Sequence, residues 1–224
     1  MTSSRRRPGA APLETTWGLT MKNENDATTK RRRELIEIMA QVVSEVGIGG
    51  ATLRKVAERT GSSMGLLTYH YKTKRDLVVD ALVYAASDFV SRVQSLNTRP
   101  GRNHLEAMFG QLAQADRLSV LPMSFWLSYW DESTRDPDLR QYYSAHHEKN
   151  REYFQKYVQA GIDNGDFPPD LDAALAADMV LMFWNGFRVE RTLADDHISE
   201  ERAMQAATLM LDLLSTPRQV PPTR

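Results

Sequence analysis

Thr52 to Leu77 reads TLRKVAERTGSSMGLLTYHYKTKRDL, and the punctuation of this stretch decides the fold. Thr52 precedes a run, Leu53 to Thr60, in which Leu53, Val56 and Ala57 share one face at helical spacing; a threonine there acts as an N-cap, its hydroxyl taking one of the orphan amides of the first turn. Gly61 ends that helix. Ser62 or Ser63 then caps a second short helix, about Met64 to His70. Thr73-Lys74-Arg75-Asp76 has the Ser/Thr-x-x-acid form of a capping box and opens a longer helix running toward Leu96. Two short helices joined by Gly61-Ser62-Ser63 make a helix-turn-helix: glycine permits the tight turn, and the second helix projects its exposed residues at a width that a DNA major groove accepts. Any helical hairpin could show this spacing.

Upstream, Leu35, Ile38, Met39, Val42, Val43 and Val46 recur at three- and four-residue steps from Lys30, with Gly47 as the stop, so four helices are expected between Lys30 and Leu96. Residues 1–29 are polar, carry Pro8, Gly9 and Pro12, and read as an arm without helical period. Downstream, Pro100-Gly101 breaks the chain, and helices are expected over His104–Ala115 and Leu121–Glu132. Asp136-Pro137 is an N-cap followed by proline at the first helical position, opening a long helix that ends near Gly165 before Phe167-Pro168-Pro169. Asp170 or Asp172 begins a strongly apolar helix to about Leu193. Ser199 caps a last helix with Glu200 and Glu201 on the positive end of its dipole. Residues 217–224 read as a frayed tail. No alternating pattern argues for a sheet. The predicted fold is all-α, a three-helix helix-turn-helix domain over 30–76 and a larger helical domain over 77–216.

Composition bounds the function. The 224 residues hold 28 Lys and Arg against 29 Asp and Glu, 42% hydrophobic residues and no cysteine, a globular balance with no thiol chemistry and no disulfide framework. No run approaches the ~20 apolar residues of a membrane helix, and no apolar stretch follows the early arginines as a signal peptide requires, so a cytoplasmic location is expected. The net charge of −1 conceals an asymmetry: residues 1–80 carry +5 and residues 81–224 carry −6. A basic segment is what phosphate attraction needs, since counterion release supplies most non-specific affinity for nucleic acid.

The continuation Gly61-x-Ser63-x-Gly65-x-Leu67-x-x-His70-Tyr71-x-x-Lys74-x-x-Leu77 resembles the signature of the TetR family of bacterial transcriptional repressors. The resemblance implies that Gly65 lets the recognition helix approach DNA closely, that Leu67 anchors it, and that Lys74 at the next helix N-terminus meets a phosphate. Ser62 stands where a valine is usual, which weakens packing of the turn. Thr68 stands where a tyrosine is common, so that contact passes to Tyr69. The expected DNA-facing set is Thr52, Ser63, Met64, Gly65, Leu66, Thr68, Tyr69, His70, Lys74 and Arg33. Arg31 to Arg33 either track the backbone or solvate a helix start; Tyr71 reads as core.

Trp126-Leu127-Ser128-Tyr129-Trp130, the Asp136-Pro137 helix start, Gly161-Ile162-x-x-Gly165-Asp166-Phe167 and Asn185-Gly186-Phe187 resemble the ligand and dimerisation domain of the BetI-like branch, which includes choline-responsive repressors. The expected effector site comprises Phe125, Trp126, Tyr129, Trp130, Trp184, Asn185 and Glu190. Aromatic walls with nearby carboxylates hold alkylammonium ions by cation–π attraction of roughly 0.5–2 kcal/mol each, which points to a choline- or polyamine-like effector; a neutral apolar molecule would also suit aromatic walls, and aromatics at helical spacing also simply make core. The helices over 172–193 and 199–214 are apolar on more than one face, and the resemblance assigns them to a homodimer reading a palindromic operator. Enzyme chemistry finds little support. His146-His147-Glu148 places adjacent rings about 100° apart with no ligand at i+4, and Gly47-x-Gly49-Gly50 lacks the Lys-Ser/Thr of a phosphate loop. No catalytic residue, metal ligand or cofactor is expected. The alternative function is a helical enzyme or an interaction adaptor without DNA binding.

Overall fold

The computed structural model describes residues 27–114, 119–193 and 198–216. The expected N-terminal arm, apart from residues 27–29, and the expected tail lie outside them. The chain is all-α, as read: α1 (Ala27–Gly50), α2 (Leu53–Thr60), α3 (Met64–His70), α4 (Lys74–Gln94), α5 (Arg102–Ala113), α6 (Met123–Ser133), α7 (Pro137–Asp163), α8 (Ala173–Leu193) and α9 (Glu200–Ser215).

The caps explain most of these boundaries. Thr52 Oγ1 accepts from Lys55 N, Ser63 Oγ from Leu66 N and Ser199 Oγ from Arg202 N, each at 3.2 Å, and Thr73 and Asp76 close the reciprocal capping box. Gly61 sits at φ 61°, the left-handed conformation that a side chain resists, and ends α2. Gly47 leaves helical geometry as expected, but one more turn follows it, so α1 continues to Gly50. Asp172 rather than Asp170 starts α8, its Oδ1 accepting from Ala174 N and Leu175 N at 3.0 Å. Other boundaries differ from the sequence reading: α1 begins at Ala27, within the expected arm, rather than at Lys30. α6 begins at Met123 because Pro122 is its extended N-cap (φ −66°, ψ 154°) and a proline disfavours helical backbone before it, and α5 spans Arg102–Ala113 rather than 104–115 because Gly101 breaks immediately before it.

Two apolar clusters hold the helices together. The first gathers α1, α2, α3 and the front of α4, and continues into α6 through Phe125, Trp126 and Tyr129, with Leu121 and Leu139. The second gathers α5, the back half of α7, α8 and α9. The helix-turn-helix head therefore shares its core with α6 and is not a free bead on a linker. Polar contacts reinforce the joint. Ile48 N donates to Ser128 Oγ at 2.7 Å, Ser124 Oγ donates to Ser44 Oγ at 2.8 Å, and Arg75 at the start of α4 bridges Asp136 (2.6 Å) and Asp138 at the start of α7.

The Gly161-to-Phe167 motif is a packing device. A Cβ on Gly161 would stand 2.3 Å from Cδ2 of Phe167, whose ring is buried in the second cluster, while the Gly161 carbonyl accepts from Asp166 N at 2.8 Å and Phe167 N at 3.1 Å. Gly161→Ala must displace that ring from a filled core. We expect a loss of about 2 kcal/mol, within the range for overpacking, read as a lower urea midpoint at unchanged slope.

Candidate nucleic-acid interface and effector cavity

α3 is held to the head by one residue. Leu67 is buried, and Met64, Leu66 and Tyr69 stand 42, 46 and 76% exposed; Gly65 and His70 are exposed beside them. A Cβ added to Gly65 would find Ser63 Oγ at 3.9 Å as its nearest neighbour. Nothing inside the head explains the glycine. Thr68 turns its hydroxyl onto its own helix, donating to Met64 O at 2.8 Å and Gly65 O at 3.2 Å, whereas Tyr69 extends freely outward and meets His70 edge-on at 5.2 Å. Tyr71 is core, its hydroxyl donating to Asp80 Oδ2 at 2.6 Å. Burial and that carboxylate push its pKa well up.

The turn is secured by polar contacts where an apolar residue was missed. Ser62 Oγ shares a hydrogen bond with Thr60 Oγ1 at 2.6 Å and accepts from Arg31, so Ser62 costs less than the lost valine packing suggested. Lys74 Nζ donates to Ile48 O at 2.8 Å and Gly49 O at 3.1 Å, tying α4 to the last turn of α1, and an ammonium has a third donor in hand. Arg32 pairs with Asp80, and Arg33 lies against Tyr84 on α4, away from α3. Arg31, Arg32 and Arg33 thus each engage a neighbouring element of the head.

A second site lies between α4, α6, α7 and α8. A narrow cavity of about 40 Å³ is walled by Phe89, Trp126, Phe154 and Trp184, with Ser119, His146, Asn150 and Arg188 as its polar groups. Ala86 and His146 also line a neighbouring cleft of about 240 Å³ between α4 and α7, with Tyr129 and Lys149. Trp126 and Trp184, 58 positions apart in sequence, are brought together here. Tyr129 reaches the cleft. The other expected ligand residues do not: Phe125 is fully buried in the head's core, Trp130 packs against that same cluster, Asn185 is half-buried away from both cavities, and Glu190 is exposed on the surface. Arg188 and His146 were not anticipated. The sequence did carry a signal for Arg188, a cation one turn after Trp184 and directly following the largely apolar run Met179 to Phe187. The Arg188 guanidinium lies 5.5 Å from the Trp126 ring centre, and the His146 ring stacks on the same indole at 5.8 Å. Burial, and then the charges of Arg188, Lys149 and His147, push the His146 pKa down to about 4.

Comparison with known proteins decides the lineage. The profile of the BetI-type transcriptional repressor C-terminal domain matches residues 101–215, just over half of the chain, and that of the bacterial regulatory proteins of the tetR family matches residues 35–81. The chain belongs to the tetR family of bacterial regulatory proteins. Among its TetR-family relatives, the HTH-type transcriptional regulator BetI 1 of Chromohalobacter salexigens is 27% identical over 113 residues, a match that takes in 49% of this chain and 56% of that protein. The chain thus spans little more than half the length of that relative. BetI of Burkholderia thailandensis is 25% identical over 191 residues, 84% of this chain and 95% of its own. A Saccharomonospora viridis protein solved in complex with choline shares the fold at a TM-score of 0.70 and 21% identity, covering 85% of this chain and all of that one. The match over residues 35–81 takes in α2 and α3. Among the described residues no helix is long and apolar enough to cross a membrane, and no group of three His, Cys, Asp or Glu side chains could hold a metal ion.

Proposed function

We propose that this chain acts as a ligand-responsive repressor: two copies pair through α8 and α9, lay their α3 helices into successive major-groove half-sites of a palindromic operator, and release it when a small organic molecule occupies the cavity at Trp126 and Trp184. The observation that carries the DNA reading is the surface of α3, where a glycine with no internal reason to be one sits among exposed Met64, Leu66 and Tyr69. Apolar side chains of this kind suit thymine methyl groups in the major groove, and a bare backbone permits close approach to phosphate. Gly65→Ala is the test. Alanine is a better helix former by up to about 1 kcal/mol, so folding stability should hold or rise while operator affinity falls at least tenfold. Equal affinity of the two proteins for operator DNA would sink the reading.

The caps contribute as phosphate ligands. The hydroxyls of Thr52 and Ser63 accept from backbone amides and still carry a proton to donate, and both stand at helix N-termini, where anions are favoured. Lys74 offers its third donor. Neutralising one phosphate changes the slope of log K against log salt by about 0.9. We therefore expect Lys74→Ala to weaken binding to all sequences alike and to flatten that slope by about one; an unchanged slope would leave Lys74 with only its structural bonds to Ile48 and Gly49.

Two routes support coupling between cavity and head. α4 runs from the cavity wall at Ala86 and Phe89 back to the capping box at Thr73. α6 presents Trp126 to the cavity on one face and Ser124 and Ser128 to α1 on the other. An effector can act only through different affinities for the bound and released geometries, and a hundredfold loss of operator affinity needs about 2.7 kcal/mol of such difference.

A further inference from the structure

The outward face of α3 lacks the side chains that most often read base edges. The helix runs MGLLTYH from Met64 to His70 and buries Leu67. At 100° per residue the positions opposite Leu67 are Gly65 and Tyr69, with Leu66 on one flank and Thr68 on the other. The middle of the reading surface is therefore bare backbone at its start and an aromatic ring one turn later. Guanine is read directly by Arg or Lys at O6 and N7, and adenine by the amide of Asn or Gln; α3 carries none of these four residues. The cations flanking it are placed elsewhere. Arg59, before the turn, is paired with Glu45. Lys72 and Lys74 lie beyond Tyr71, which is buried and ends the helix, and Lys74 is bonded to the Ile48 and Gly49 carbonyls. Thr68 donates its one proton within its own helix. What the face does present is apolar: Met64, Leu66 and the Tyr69 ring are exposed, and at Gly65 no side chain stands proud to hold the helix off the groove floor. The feature of a base pair in the major groove that rewards an apolar side chain is the thymine C5 methyl. Attraction to the duplex does not need base-edge donors, since residues 1–80 hold 14 Lys and Arg against 9 Asp and Glu.

We infer that this protein reads its operator through thymine methyl groups: each half-site offers T·A pairs whose C5 methyls pack on Met64, Leu66 and Tyr69, and no guanine contact dominates the specificity. The inference rests on the reading of α3 as the DNA-reading helix and adds the base chemistry which that helix selects. Duplexes with a random core of about 24 base pairs, room for two half-sites one helical turn apart, can be selected on the full chain. The best binder is then remade with deoxyuridine for thymine, which removes only the methyl, and with 7-deazaguanine for guanine, which removes the N7 acceptor. One buried carbon of this kind is worth about fourfold in affinity, so exchanging a contacted thymine in both half-sites should weaken binding more than tenfold. 7-Deazaguanine should cost less than threefold. In at least one of Met64→Ala, Leu66→Ala and Tyr69→Ala, all at exposed positions, the uracil penalty at one position should shrink below twofold, while Lys74→Ala should leave it in full. A selected operator bound equally well with uracil throughout, or one that loses more to 7-deazaguanine than to deoxyuridine, overturns the methyl reading and leaves α3 as the DNA-reading helix. A uracil penalty that none of the three alanine variants relieves puts the methyls against another element and overturns the inference. Enrichment of no duplex above the starting pool overturns both the inference and the operator reading beneath it.

Discussion

Replacing Leu209 and Leu213 by glutamate should convert the protein to a monomer and abolish tight operator binding, while the helical content stays the same. The two leucines stand 60 and 67% exposed on α9, and Leu175, Met179, Met182 and Leu193 stand between 41 and 70% exposed on α8. The two sets are contiguous, since Met179 and Leu213 wall one cleft at the end of the molecule. Six large apolar side chains on adjoining helix faces form the kind of patch that a monomer rarely leaves to water. In a two-fold dimer each residue meets its own copy or a near neighbour, so two substitutions place four carboxylates in one interface. Desolvating a single unpaired carboxylate costs several kcal/mol, and about 4 kcal/mol already weakens association a thousandfold. Operator affinity follows, because a single head retains one half-site and loses the linkage between two. Light scattering and operator titration at one protein concentration test it together. A double variant that remains dimeric moves the pairing surface away from α8 and α9.

Acidification from pH 7.5 to 5 should cost this fold about 4 kcal/mol through two histidines, half of it from His104. His104 is buried, stacked on Tyr157 at 3.9 Å, with Nδ1 paired to Thr98 Oγ1 at 2.7 Å and Nε2 to the Tyr153 hydroxyl at 3.0 Å. Burial, and then the charge of Lys156, push its pKa down to about 4, as His146 is pushed down to about 4. An unfolded histidine titrates near 6.5, so below that pH the unfolded chain binds protons that the folded chain refuses. The stability contributed by the neutral rings is complete above pH 6.5 and lost progressively as pH falls toward 4. At pH 5 each ring accounts for about 2 kcal/mol. His104→Gln keeps a donor and an acceptor without a titrating group, and should remove about half of the pH-dependent drop in urea midpoint. An identical drop in native and variant proteins would show that His104 does not carry it.

Local signals made the head legible. Thr52, Gly61, Ser63 and the Thr73–Asp76 box each act within four residues of chain, so the sequence alone locates α2, α3 and the start of α4. Leu67 is assigned to the core through the family signature rather than through periodicity, and Tyr71 reads as core; both are buried. The effector site was less legible, because an aromatic cluster does not state which members face which neighbour. A step of one residue turns a helix by 100°. Phe125 and Trp126 share one apolar cluster, yet only Trp126 reaches the cavity, and Glu190, two residues beyond Arg188, is turned 200° away from the cavity that Arg188 enters.

The sequence by itself determined an all-α chain with a basic helix-turn-helix reading head and a more acidic body, because caps, breakers and charge balance are properties of short segments. Only the tertiary structure decided that Trp126 and Trp184 meet, that α6 joins the cavity to α1, and that the positive charge of Arg188 rather than the negative charge of Glu190 lies at the aromatic wall. Those facts depend on the rotation of α8 about its own axis as it packs on α7. That rotation is fixed by burying Val180, Leu181, Trp184 and Phe187 together, a balance among residues far apart in the chain that no local pattern records.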